Sequence, residues 1–244
     1  MKKELEIFSV GIHTADKNKM KAELEAALGS EKQKCLFTPN PQMLLACRRS
    51  EELRNLMNKA DFSLPDGIGI KLVSGLYGAA LPERLSGIDM GEFVLSVAAK
   101  KGLSVFLLGG KPNVAQDAAK ALTQKHDGLR ICGAHHGYFE KSGEENSAVL
   151  DIIRKAAPHV LIVCFGFPIQ EKWIAENLSS LPSVRLAMGL GGSLDVWSGN
   201  KKRAPSAFRK MGLEWLWRAL AEPRRMKIFI DIPRFLACSI ADAL

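Results

Sequence analysis

The chain has 244 residues, 47% of them hydrophobic and 25% charged; this is the composition of a globular protein with apolar material for one large core or two small ones, and it argues against disorder. Its five cysteines, Cys35, Cys47, Cys132, Cys164 and Cys238, are odd in number, lie mostly in apolar runs and form no C-x-x-C pair, which argues against a disulfide framework or a zinc site and fits a reducing cytoplasm. The net charge of +8 is uneven: residues 1–200 hold 24 Lys/Arg against 22 Asp/Glu and residues 201–244 hold 10 against 4, so the C-terminal end carries +6 and is expected to meet something anionic.

In chain order, the opening "MKKELEIFSV" interrupts its apolar residues with Glu4 and Glu6, which does not support a signal peptide, and "LEIFSV" reads as a first strand. The strands "KCLFTP", "DFSLPD", "LSVFLLGG", "LRICGA", "HVLIVCFG" and "VRLAMGLGG" then alternate with helical periodicity over 16–28, 42–59, 68–78, 89–101, 113–125, 145–157 and 169–180. This alternation predicts an α/β, Rossmann-like fold with a largely parallel sheet flanked by helices, and places ligands at the carboxyl ends of the strands. The longest uncharged run, 156–170, contains Pro158, His159 and Pro168 and falls short of the ~20 residues of a membrane span, so a soluble or peripheral protein is expected. Composition shifts near "NKKRAP" at 200–205; beyond it the pattern is helical, with Pro223 and Pro233 each expected to open a short helix. The chain thus divides into an α/β core, 1–200, and a basic, amphipathic helical appendage, 201–244, docked beside it.

The motifs gather at the predicted strand ends. In "FTPNPQML", 37–44, each proline fixes its own φ and biases the residue before it towards extended backbone, so Thr38 and Asn40 are held out of the helix that Pro41 begins. In "SLPDGIGI", 63–70, Asp66 stands at a strand tip beside Gly67 and Gly69, either as a helix N-cap or as a carboxylate a substrate can approach closely. "FLLGGKPNVAQDAAK", 106–120, carries Gly109 and Gly110 before a helix whose first N–H groups can meet phosphate. It is neither G-x-G-x-x-G nor a P-loop. "CFGFPIQEKW" adds Gly166, Gln170 and Glu171, and "GLGGSLDVWSG" adds Gly191, Gly192, Ser193 and Asp195. Each loop alone reads equally as a cap or turn; as a set they suggest a nucleotide crevice, with Asp195 suited to ribose hydroxyls. His135-His136 has no His or Cys at ligand spacing, so no metal site is expected. None of the ten aspartates forms a D-x-D, so a nucleotide-sugar diphosphate would be neutralised by helix N-termini or by arginines such as Arg84 rather than through a divalent cation.

The segments "TPNPQML", "LPDGIGI", "PERLSGIDM", "FLLGGKP", "GFPIQEKW", "GLGGSLDVWSGNKKRAP" and "GLEWLWRALAEPRR", in that order and across about residues 5–230, closely resemble the WecG/TagA/CpsF glycosyltransferases, family 26. The resemblance implies an enzyme that needs no cofactor and transfers a sugar, with inversion, from a UDP-sugar to N-acetylglucosamine on a polyprenyl diphosphate. N-acetylmannosamine is the expected sugar. Other members suggest UDP-N-acetylmannosaminuronic acid or UDP-glucose as donors, in teichoic acid, common-antigen or exopolysaccharide assembly. It implies Asp66 as general base, Thr38, Asn40 and Gln170 as polar residues of the same pocket, and Arg84 on the phosphate charge. Donor nucleotide is expected along Gly109, Gly110, Gly166, Gly191, Gly192 and Asp195. In the appendage, Trp215, Trp217, Arg218, Arg224 and Arg225 combine interfacial aromatics with phosphate-binding arginines, while Phe229, Ile230, Phe235 and Leu236 are expected to supply apolar surface at the inner face of the cell membrane. A homo-oligomer is expected, and no nucleic acid partner. Trp197, where the family pattern varies, is open as a donor contact, and Lys71 and Lys111 are the cations available to a uronic acid donor. The competing classes are a nucleotide-binding oxidoreductase, against which the missing dinucleotide fingerprint counts, and a nucleic-acid module built on the basic tail.

Overall fold

The protein, seen in a computed structural model, is described over residues 3–221 and 226–243. Its first predicted strand folds instead as a hairpin: β1 (Leu5–Ile7) pairs antiparallel with β2 (Val10–Ile12), Leu5 opposite Ile12. Phe8 and Ser9 turn the chain with φ of 51° and 61°, the two left-handed residues of a tight two-residue hairpin. Phe8 is no glycine, and the steric cost is offset by burial of its ring.

After α1 (Lys17–Gly29) the chain lays down β3 (Lys34–Phe37), α2 (Pro41–Arg49), α3 (Glu51–Asn58), β4 (Phe62–Ser63), α4 (Ile68–Ser74) and α5 (Gly87–Lys100). The continuous helix expected over 42–59 breaks at Ser50, whose Oγ accepts from Leu53 N and so starts α3. Then follow β5 (Ser104–Gly109), α6 (Val114–Lys125), β6 (Arg130–His135), α7 (Gly143–Ala156), β7 (Val160–Cys164), α8 (Ile169–Asn177), β8 (Leu186–Gly189) and α9 (Ser193–Trp197). Strands β3 to β8 form one parallel sheet in the order β4-β3-β8-β7-β5-β6. Every carboxyl end therefore opens on the same edge, and the six following loops are neighbours whatever their distance in sequence.

The strand side chains alternate between two buried layers. Leu36, Val105, Leu107, Ile162 and Met188 face the layer under α1, α5, α6 and α9. Cys35, Phe37, Phe106, Leu108, Leu161, Val163 and Ala187 face the layer under α2, α3, α7 and α8. A sheet covered on both faces explains why its strands read as apolar runs without polar alternation.

Three helices follow the sheet: α10 (Ser206–Lys210), α11 (Glu214–Ala221) and α12 (Ile228–Ala243). Pro233 lies inside α12 rather than at its start, and Pro223 falls outside the described residues. The lost hydrogen bond is compensated by packing, because α12 presses Phe235 into the second layer. Phe235 is fully buried, edge-on to Phe8 at 5.9 Å between ring centroids. A Cβ on Gly69 would stand 2.8 Å from Pro41 and 3.6 Å from the Phe235 ring, so glycine there lets α4, α2 and α12 close together. The expectation that Phe235 serves a membrane boundary is thereby corrected. Helical spacing sorts the residues of α12: Phe235 and Ser239 point inward, while Phe229 and Ile230 stay exposed. Among the described residues, no helix is long and apolar enough to cross a membrane.

Candidate active site

Where β3 ends, Thr38-Pro39-Asn40 leads across the top of the sheet into α2. Asn40 has φ −131° and ψ 170°; its Oδ1 caps α2 by accepting from Gln42 N at 3.0 Å and Met43 N at 3.1 Å, with Pro41 as the first helical residue. The Pro39 carbonyl accepts from Asp66 N at 2.9 Å, so the stiff proline segment also fixes the backbone of the neighbouring strand end. The N-cap of α4 is Gly67, at φ 101° and with no side-chain capping bond; Asp66 stands one residue earlier. The N-cap position of α4 is thus Gly67's rather than Asp66's, and Asp66 lines a cavity.

That cavity, of about 300 Å³, brings together Thr38, Asn40, Asp66 and Arg84, with Glu214 and Trp215 of α11 closing it from the appendage. Lys227, Ile228 and Ile232 complete that side. Glu214 is the residue that reasoning from sequence missed. It is buried, 3.5 Å from Arg84 Nη2 and 4.0 Å from Arg203 Nε, while Arg203 Nη2 reaches Asp89 at 2.7 Å. A buried carboxylate among guanidinium groups is held by its pairs, and removing one partner from such a group is costly. An acid at a helix start looks ordinary in sequence, which is why nothing marked it. Trp215, expected at a membrane surface, is half-buried against Phe229 with ring centroids 5.8 Å apart. Trp217 packs edge-on to Phe208 at 5.6 Å and does not line the cavity. Arg224, Arg225 and the side chain of Arg218 lie outside the described residues.

A second cavity, about 840 Å³, opens beyond β5 and β7 and is lined by Gly110, Lys111, Tyr138, Lys141, Phe165 and Asp195, with Lys201 at its rim. Gly109 has φ 141°, and a Cβ there would overlap the Cys164 carbonyl; the backbones of β5 and β7 meet too closely for any side chain. Lys141 Nζ sits 3.8 Å from the Phe139 ring centre and 4.4 Å from that of Phe165, and burial lowers its pKa. Asp195 is 3.8 Å from Lys201 Nζ. The helix expected from residue 113 starts at Val114, behind Asn113 at φ 72°.

Gln170 is buried and lines neither cavity. Its Oε1 accepts from Gly191 N at 2.9 Å and Gly166 N at 3.3 Å, tying the loops after β8 and β7. Gly166 and Gly191 have φ of 84° and 54°, whereas Gly192, at φ −86°, is the N-cap residue of α9. Short α9 borders both spaces, Ser193 on the smaller cavity and Asp195 on the larger. Trp197 is turned away: it is buried in the core with its indole N–H donating to Glu92 at 2.9 Å. Lys71 donates to the Pro82 carbonyl, and Lys111 borders the larger cavity. His135 Nδ1 lies 2.8 Å from the His136 carbonyl oxygen, and the two rings lie 4.4 Å apart.

Residues 5–244 match the model of the family described as the Glycosyl transferase WecG/TagA/CpsF family. The chain is 34% identical over 200 residues to the N-acetylglucosaminyldiphosphoundecaprenol N-acetyl-beta-D-mannosaminyltransferase of Bacillus subtilis (strain 168), covering 82% of this chain and 76% of that one. It is likewise 34% identical over 209 residues to the protein of the same name from Bacillus spizizenii (strain ATCC 23059 / NRRL B-14472 / W23), covering 86% and 79%.

Proposed function

The chain belongs to the WecG/TagA/CpsF family of glycosyltransferases, and from that premise we propose that it moves N-acetylmannosamine from UDP to the 4-hydroxyl of N-acetylglucosamine on a polyprenyl diphosphate, with inversion and without a metal. The observation that carries this reading is the meeting of Asp66, Thr38, Asn40 and Arg84 in one cavity beside a larger one lined by Gly110, Gly137 and the lysines Lys111, Lys141 and Lys201. In the proposed reaction the Asp66 carboxylate takes the proton of the acceptor hydroxyl as that oxygen bonds to the anomeric carbon. The bond from that carbon to the diphosphate oxygen breaks on the opposite face, and UDP leaves. A positioned base contributes typically 10²- to 10⁴-fold, about 3 to 5 kcal/mol of barrier. Thr38 and Asn40 orient the sugars. Arg84 and Lys227 in the smaller cavity, and Lys111, Lys141 and Lys201 around the larger, supply cations for diphosphate charge, which supports a metal-independent mechanism.

Exposed Leu220, Met226 and Ile230 on the basic C-terminal part support peripheral docking at the inner face of the cell membrane, where a lipid-linked acceptor would enter beside Trp215. Off the membrane the same apolar surface supports self-association, read as a solution mass that falls on adding detergent.

The test is UDP release from UDP-N-acetylmannosamine with a short-chain lipid-linked N-acetylglucosamine. Release is expected to require the acceptor and to survive EDTA. Asp66→Asn is expected to keep UDP affinity within about threefold and to lose about 10²-fold or more in turnover. Near-normal turnover would remove Asp66 from the mechanism.

A further inference from the structure

Glu171 is fully buried at the start of α8, beside Gln170 in the chain. Its Oε1 accepts from Gln170 Nε2 at 2.8 Å, and its Oε2 has no hydrogen-bond partner. Burial pushes its carboxyl pKa up, which favours a neutral acid. An unsatisfied polar group in such a place is destabilising where an apolar residue of the same size would not be. The compensation lies in what the Gln170 amide does. An amide offers an oxygen on one side and two N–H groups on the other, and its two flips are not equivalent here. With its oxygen on the Gly166 and Gly191 N–H groups, the amide nitrogen needs an acceptor behind it, and Glu171 Oε1 is there. The space is built for this arrangement: a Cβ on Gly189 would come within 3.0 Å of Gln170 Nε2.

We propose that Glu171 is a positioning residue that holds the Gln170 amide in this orientation, so that one oxygen ties together the Gly166 and Gly191 loops, whose neighbours Phe165 and Ile169 line the larger cavity and Leu190 and Ser193 the smaller. A nucleoside diphosphate-sugar reaching from the larger cavity to Asp66 would pass along the wall these loops make, so the spacing of the two loops sets how well the donor is gripped. The functional half rests on the donor reading given above; the hydrogen-bond tie does not.

The test compares Glu171→Leu, which removes the acceptor, with Glu171→Gln, which keeps one, by donor KM and kcat, UDP affinity and hydrogen exchange at the Gly191 amide. Glu171→Leu is expected to raise donor KM and weaken UDP binding about tenfold, to change kcat by less than about threefold, and to speed Gly191 exchange about tenfold, the loss set by an unpaired buried amide. Glu171→Gln is expected to restore all three. In a Gln170→Ala background, Glu171→Leu is expected to add nothing, because its effect passes through the amide. Where Glu171→Leu does not fold, Glu171→Met, unbranched like the native side chain, carries the same comparison. Unchanged Gly191 exchange in the acceptor-less variant, equal losses in both variants, or additive losses in the double variant would each overturn the proposal. Faster Gly191 exchange with unaltered donor constants overturns the donor role of the wall while the tie itself stands, which separates the two failures.

Discussion

Asn40 carries two duties in one side chain. Its oxygen is committed to the cap of α2 by two backbone bonds, leaving the amide nitrogen for the cavity it lines. Truncation to Ala would remove both, at about 1 kcal/mol for the cap alone, and would confuse folding with turnover. Asn40→Asp separates them, since an aspartate caps as well as an asparagine but turns a donor into a second negative charge near Asp66. Stability by denaturant midpoint is expected within about 0.5 kcal/mol of the parent, while turnover falls about 10²-fold. Turnover equal to the parent's would return the proline stretch to being a turn. At this scale, Asp66 and Asn40 were legible because glycine and proline beside them dictate backbone directly. Glu214 was not, and Glu171 was marked only as a polar group of its loop: each owes its meaning to burial, and for Glu214 the partners Arg84 and Arg203 are brought near only by the fold.

Apart from short α9, which carried no helical periodicity, and the break between α2 and α3, the helices of the sheet domain came out of the sequence within a few residues, since each has one apolar stripe over a sheet face. The misreadings occurred where a local signal competed with packing. Phe8 and Ser9 carry no turn chemistry, yet they turn β1 into β2; Pro233 suggested a helix start, yet α12 runs through it. The sequence of α12 is amphipathic, but which face meets protein depends on α2 and α4, which lie far away in the chain. Two substitutions on this one helix divide its roles. Phe235→Ala removes a fully buried ring and is expected to cost about 3–5 kcal/mol, visible as a lower denaturant midpoint. Ile230→Ser, at a side chain 69% exposed, is expected to leave stability within about 0.5 kcal/mol and to reduce liposome flotation. A large stability loss from the second, or none from the first, would reverse the orientation given to α12. By the same argument, a chain cut near Asn200 would lose Phe235 from the core, so flotation of that fragment would not isolate membrane docking from folding.

At the scale of the whole molecule, the parallel sheet was foreseeable from alternating elements, but its order was not. Strand β8, last in sequence, inserts between β3 and β7, and that insertion sets Ser193 beside the Thr38 and Asp66 loops. Only the joint burial of all strands selects it. Burial in the layers on either side of the sheet also governs the thiols. Cys35, Cys47 and Cys164 are buried, and burial pushes the first two up to about 11 and the third to about 12, from an ordinary 9.0. Cys164 borders the larger cavity, yet a thiol so raised carries no thiolate at neutral pH and is packing rather than nucleophile. The linkage has a definite sign. Between pH 9 and about 11 an unfolded chain releases these three protons and the native one retains them, so the native state binds more protons and stability falls as pH rises. Their contribution is whole below pH 9 and is lost through the folded values. Urea midpoints measured with reductant at pH 8 and pH 10.5 are expected to drop over that interval, and a Cys35→Ala/Cys47→Ala/Cys164→Ala chain, though less stable at pH 8, is expected to show a shallower drop. An equal slope in the two proteins would mean that the thiols ionise within the folded protein, and that its apolar layers admit charge.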